Sequence, residues 1–266
     1  VGELRAYAAL AGAQARSAAT YRWSFVTEML ANMGGTVFDA LAVLVLFRAT
    51  PTVGGFSLRE AVLIVGLSSA GFALADFSVG NVDRLKTYVR AGTLDAVLVR
   101  PLAALPQLLL MDIPLRKALR VVLGFTLLGG AVVINDVAWT PARVLLVVLA
   151  PIAAAVFFSS IFVSSASLAF WWVDSGEIGS AFTYGGRDFT AYPITVFGDT
   201  FRGLFAYALG FAFVAYQPAL ALLGRTDPLG LPPWSGFLSP LVAGVAAVLA
   251  AVVWRAGIRH YRSTGS

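Results

Sequence analysis

The chain has 266 residues, of which 59% are hydrophobic and only 12% charged; that is about half the charged fraction of a soluble domain, so lipid is its main solvent. It has no cysteine and one histidine, His260, which excludes disulfides, thiol chemistry, cysteine-based metal sites and centres built on paired histidines. The net charge of +5 comes without a basic run interleaved with aromatics, so it points to membrane headgroups and away from nucleic acid.

A bilayer crossing takes about 20 mostly apolar residues. Residues 1–21 precede any such stretch. They read as an Ala-rich interfacial helix of weak amphipathicity, apart from a six-helix body of residues 22–266. The first apolar segment, 22–48, is interrupted by Glu28 and Asp39; its length and two acids distinguish it from a signal peptide. The second, 61–82, contains Asp76. The third, 118–137, has Arg116, Lys117 and Arg120 near its start, placed to snorkel to the interface. The fourth, 144–173, is uncharged and long, with a kink or tilt expected around Pro151. Residues 174–200 read as a loop with room for a short helix. The fifth segment is 202–225. Residues 217–240 carry Pro218, Pro228, Pro232, Pro233 and Pro240, the pattern of a broken, re-entrant outer stretch. The sixth segment is 238–254.

Six crossings put both termini on one side. With the termini in the cytoplasm, fifteen of the nineteen Lys and Arg fall on the cytoplasmic side, as the positive-inside bias requires. The expected fold is therefore an all-α membrane protein of six transmembrane helices. The Arg excess over Lys, with abundant Ala, Val and Gly, suggests a bacterium with GC-rich DNA, and the expected location is its cytoplasmic membrane.

The largest cytoplasmic loop, between segments two and three, contains GTLDAVLVRPL, residues 92–102. Thr93 is placed to cap a short helix, Asp95 falls in its first turn, and Pro101 stops it after Arg100. Leu94, Val97 and Leu98 are spaced i, i+3, i+4 and make a small apolar face. With little of its own chain beside it, that face is expected to dock on a cytosolic partner.

Acids at membrane depth are costly and face a cavity or a partner. Glu28 and Asp39 are eleven residues apart, nearly three helical turns, and share a face with Asn32 and Gly35. Asp76 lies at a similar depth to Glu28 on the second segment. These residues line a substrate pathway or pack against a second permease; both readings stand. No nucleophile motif, metal cluster or clustered histidine accompanies the acids, so the chain is not read as an enzyme.

Gly92-Thr93-Leu94-Asp95 with Arg100-Pro101-Leu102, Phe170-Trp171, Tyr192-Pro193 and the run FVAYQP from Phe213 to Pro218 resemble the permease subunit of ABC-2 type transporters. The likeness is to the branch with separate permease and ATPase chains. It implies an exporter of a hydrophobic or amphiphilic substrate whose loop helix couples to two copies of an ATP-binding cassette subunit. ATP and Mg would be held there, with no cofactor in this chain. It also implies a second permease, identical or homologous, with the two-permease branch favouring a heterodimer. The chain agrees by omission: neither Lys86 nor Lys117 follows a phosphate-binding glycine loop. The rival readings are an importer permease, against which the absence of an E-A-A start to the loop counts, and a non-transporting assembly or anchoring protein.

Overall fold

The computed structural model describes residue 41 and residues 44–111 and 117–261. Residues 1–21, and with them the interfacial helix, lie outside it, as do Glu28, Asn32, Gly35 and Asp39.

Four long helices form the frame: α1 (Leu58–Val79), α5 (Ala118–Ile134), α6 (Pro141–Ser167) and α10 (Ser239–His260). Their starts are written in the local sequence. Before α1, Ser57 and Glu60 form a capping box, the Ser57 amide donating to Glu60 Oε2 at 2.8 Å. Before α6, Thr140 Oγ1 accepts from the Arg143 amide and Pro141 occupies the first helical position. Pro151 lies inside α6, which continues across it.

Three described helices are long and apolar enough to cross a membrane: Leu58–Arg90, Pro141–Phe170 and Pro233–His260. A shorter apolar helix spans Ala118–Ile134. Among the described residues there is no strand, only a bridge between Val53 and Phe56.

α1 is the central helix, with α5 and α6 packed on it and α10 packed on α6. Close approach comes from small residues. A Cβ at Gly71 of α1 would collide with Ala154 of α6, and one at Gly124 of α5 would meet the Ala70 backbone of α1 at 3.0 Å. Lipid offers no hydrophobic drive between helices, so this contact supplies much of the packing. The outward faces are apolar and exposed, as at Val148 and Ile152 of α6 and Val245 and Val252 of α10.

One end of this frame carries Gly54 and the start of α1. The other carries a 3-10 turn (Gly80–Arg84) and three short helices, α2 (Leu85–Arg90), α3 (Thr93–Leu98) and α4 (Ala104–Leu110). We call these the Gly54 end and the α3 end.

The fifth apolar segment departs from expectation. Residues 202–225 are not one helix. α8 (Asp199–Phe201) runs into a π-helix (Arg202–Ala208), the chain turns at Gly210 with φ of 86°, and α9 (Tyr216–Leu223) follows a 3-10 turn at Phe211–Phe213. Only glycine adopts that turn conformation cheaply. Both ends of the segment sit at the Gly54 end. Thr195 Oγ1 donates to the Gly54 carbonyl at 2.7 Å, and Arg225 bonds Glu60 at 2.8 Å and the Gly55 carbonyl at 3.0 Å. The tip packs Phe211 on Phe157, midway along α6, with ring centroids 5.1 Å apart. Residues 199–223 thus fold back on themselves as a hairpin, and the expected broken stretch continues from it as loop and a 3-10 turn (Pro233–Leu238) before α10.

The stretch read as a loop instead runs along the frame from one end to the other. α7 (Gly176–Thr190) starts at the α3 end, where Glu177 lies 4.0 Å from Lys86. It reaches the middle of α1, where Thr190 and Ser68 hydroxyls are 2.7 Å apart. Residues 191–197 complete the path to Gly54. α7 escaped hydropathy because it carries Glu177, Arg187 and Asp188 and buries mostly small and aromatic residues such as Gly179, Gly186 and Phe189. Arg187 therefore lies at mid-depth, 5.5 Å over the Phe72 ring, and Arg202 near the Gly54 end, where it bonds the Phe197 carbonyl. Neither belongs with the cations of the α3 end.

Candidate coupling helix and buried charged clusters

α3 is built from the residues expected of it but faces differently. It starts at Thr93, after Gly92 with φ of 66°. Thr93 does not cap it; its hydroxyl donates to the Tyr88 carbonyl at 3.3 Å. Asp95 is in the first turn, as expected, and accepts from Tyr261 Oη at 3.1 Å, tying α3 to the end of α10. Burial, and next the Asp95 hydrogen bond, raise the Tyr261 phenol above its ordinary pKa. The helix ends at Leu98, before Arg100 and Pro101. Gln107 of α4, itself buried, donates to the carbonyls of Val97 at 3.2 Å and Leu102 at 2.9 Å, which closes the free end.

The apolar face does not wait for a partner. Leu94 and Val97 are buried in the chain's own core with Leu85, Val89 and Leu108, and Leu98 is half-buried against them. Leu94 and Val97, expected to dock outside the chain, are covered by α2 and α4, while Leu98 keeps part of its surface open. The free face is Thr93, Ala96, Val99 and Arg100, all exposed, with Val99 85% exposed. An apolar side chain left so open after a helix whose apolar face is otherwise used was visible in the sequence only as the residue outside the i, i+3, i+4 pattern.

The α3 end is also braced by charge. Arg90 of α2 pairs with Asp174, and Lys86 with Glu177, joining α2 to the start of α7. Both pairs are exposed and contribute modestly.

Asp76, expected on a pathway or a permease contact, is held by cations of its own chain. It is 1% exposed, and its two oxygens accept from Lys117 Nζ at 2.6 Å and Arg120 Nη1 at 3.2 Å. These cations, read from the sequence as snorkelling outward, turn inward instead. A carboxylate beside the first turn of α5 also suits that helix's dipole.

A second buried carboxylate was missed. Asp227 accepts four hydrogen bonds: Tyr216 Oη at 3.2 Å and the Leu229 amide at 3.0 Å on one oxygen, Gln217 Nε2 at 2.7 Å and Tyr207 Oη at 3.3 Å on the other. Gln217 in turn accepts from Ser235 Oγ at 2.6 Å. The cluster joins both limbs of the hairpin to the segment that leads into α10. The available signal was a lone acid between prolines following a tyrosine-rich run. An aromatic slab lies beside the hairpin, with Phe201 and Phe205 stacked at 4.4 Å and Phe189 4.6 Å from Phe197. Among the described residues no group of His, Asp and Glu is placed to hold a metal.

No curated protein and no solved structure matches the chain. The family model described as ABC-2 family transporter protein matches residues 33–265, nearly the whole length and inclusive of α1 to α10. The helical frame, the short helices at one end and the apolar outer faces agree with that match, and the chain belongs to the ABC-2 transporter family, as a transmembrane permease of an ABC transporter.

Proposed function

We propose that this chain is the membrane subunit of an ATP-driven exporter in a bacterial cytoplasmic membrane, moving a hydrophobic or amphiphilic substrate outward by alternating access. The observation that carries the reading is the placement of α3. It is clamped from behind by α2, α4 and Tyr261, and presents Thr93, Ala96, Val99 and Arg100 outward. A helix held this rigidly transmits a push to α1 through α2 and to α10 through Tyr261.

In this reading two copies of a separate ATPase, which hold ATP and Mg, press on α3 in each of two permeases. The second permease is identical or homologous, with a heterodimer favoured by the family likeness. The α3 end and both termini are cytoplasmic. The six crossings are residues 22–48, α1, α5, α6, the stretch from α7 to Thr195, and α10. The stripe of Glu28, Asn32, Gly35 and Asp39 lines the pathway or the contact between permeases.

The test is Val99→Asp in the assembled complex. Withdrawing an exposed valine from a docked interface forfeits about 1.5–3 kcal/mol, so ATPase affinity should fall at least about tenfold. The variant should insert and keep its melting profile, because Val99 touches solvent in this chain. A Val99→Asp complex that co-purifies with a full complement of ATPase and still transports would remove the coupling role from α3.

A further inference from the structure

A groove of about 660 Å³ opens between α6 and α10 in the half of the frame nearest α3, within the roughly 300–1,000 Å³ of sites that take a small molecule. Sequence explains its shape. Ala247, Ala250 and Ala251 follow the helical period on one face of α10 and leave a recess opposite Val156 of α6. The start of α4, at Ala103, forms its floor. Apart from Ser159 and Ser160 of α6, the latter donating to the Val156 carbonyl at 2.7 Å, the walls are apolar at a depth where the outer faces of both helices are apolar and exposed, so hydrocarbon fills the groove more favourably than water.

Its α3 end is different in kind. Arg255 and Arg259 stand there one turn apart on α10, on the same face as the alanines. Both are exposed, and neither is held by a hydrogen bond or ion pair among the described residues. Two guanidiniums side by side repel each other and match the planar, bidentate geometry of a phosphate. A zwitterionic headgroup would bring its own cation against them. An anionic one brings only the complementary charge. Basic pockets between membrane helices recognise headgroups in this way.

We propose that this groove is a binding site for one anionic phospholipid, an acyl chain lying along the alanine recess and the phosphate on Arg255 and Arg259. The occupant braces the start of α4 against α10, close to the Tyr261–Asp95 bond.

The experiment uses the full chain in neutral detergent. It is titrated with phosphatidylglycerol, with phosphatidylcholine of the same acyl chains, or with glycerol phosphate, and read by native mass spectrometry and thermal unfolding. Phosphatidylglycerol should be retained and should raise the melting temperature more than phosphatidylcholine, and glycerol phosphate should do neither. Arg255→Gln with Arg259→Gln should weaken phosphatidylglycerol roughly 30-fold, about fivefold per arginine, and leave phosphatidylcholine unchanged. Ala251→Phe, which fills the recess, should reduce both lipids. Equal retention of the two lipids, or a preference for phosphatidylglycerol that survives the double arginine variant, would overturn the site. Glycerol phosphate acting as well as the lipid would make it a free-anion site and overturn it too. If the chain's own amino-terminal segment fills the groove, Ala251→Phe would lower the melting temperature without lipid and leave the lipid preference intact, which also overturns the proposal.

Discussion

Asp76 of α1 and Lys117, the residue before α5, are joined by a 2.6 Å ion pair with the carboxylate 1% exposed. The desolvation cost of such a pair is offset only while all partners are present. Asp76→Asn leaves Lys117 and Arg120 without their carboxylate and should cost about 3–5 kcal/mol. Adding Lys117→Gln should recover part of that loss, so the double variant is more stable than the sum of the singles requires. A thermal or denaturant series in detergent checks this. Strict additivity would show that the two side chains do not interact.

Leu94→Asp should damage the fold, unlike Val99→Asp. Leu94 is 1% exposed against Leu85 and Leu108, and burying a leucine is worth about 1.5–3 kcal/mol before the unpaired charge is added. Proteolysis of residues 85–110 should accelerate markedly in this variant and stay at the wild-type rate in Val99→Asp. Equal protease resistance in the two would mean that Leu94 is not a core residue.

The traverse by α7 is open to direct labelling, because the chain lacks cysteine. Glu177, with its side chain 95% exposed, and Val196, 50% exposed, lie at opposite ends. In intact cells an impermeant thiol reagent should modify both Val196→Cys and Thr52→Cys, and should not reach Glu177→Cys. Matching reactivity at positions 177 and 196 would restore residues 174–200 to a loop on one side.

Asp227→Ala should loosen the hairpin of residues 199–223. Four donors lose their acceptor, and hydrogen bonds to a charged group are worth about 1.5–3 kcal/mol each when broken singly. Tyr207→Phe removes one bond, at 3.3 Å, and should cost far less. Hydrogen exchange across residues 199–238 is the measurement: faster exchange in Asp227→Ala, near-wild-type exchange in Tyr207→Phe. A hairpin that exchanges equally slowly in all three proteins would show that packing of Phe211 on Phe157 holds it without the carboxylate.

What was legible beforehand follows a pattern. α1, α5, α6 and α10 are long, mostly apolar and end at prolines, caps or cations, all of which are local in sequence. The short helix at residues 93–98 was legible for the same reason: Asp95, Pro101 and the spacing of Leu94, Val97 and Leu98 are local signals. Residues 202–225 misled because an apolar composition does not say whether a chain crosses a frame or turns back in it; Gly210 alone marks the reversal. α7 was hidden for the opposite reason, since its charges are accommodated by packing against α1 and α6 that hydropathy does not see.

By itself, then, the sequence determined the solvent of this protein, the class of its helices, the place of a short helix between the second and third apolar segments, and its membership of a permease family. Those properties depend on composition, periodicity and residue order. Only tertiary structure decided that Leu94 and Val97 face inward while Val99 faces out, that Asp76 is satisfied by Lys117 and Arg120, and that Asp227 locks a hairpin. Each of these is a contact between different elements of the fold, which local composition and spacing do not specify, and burial makes the choice of partner decisive. A carboxylate there is stable only beside the donors that the fold brings to it.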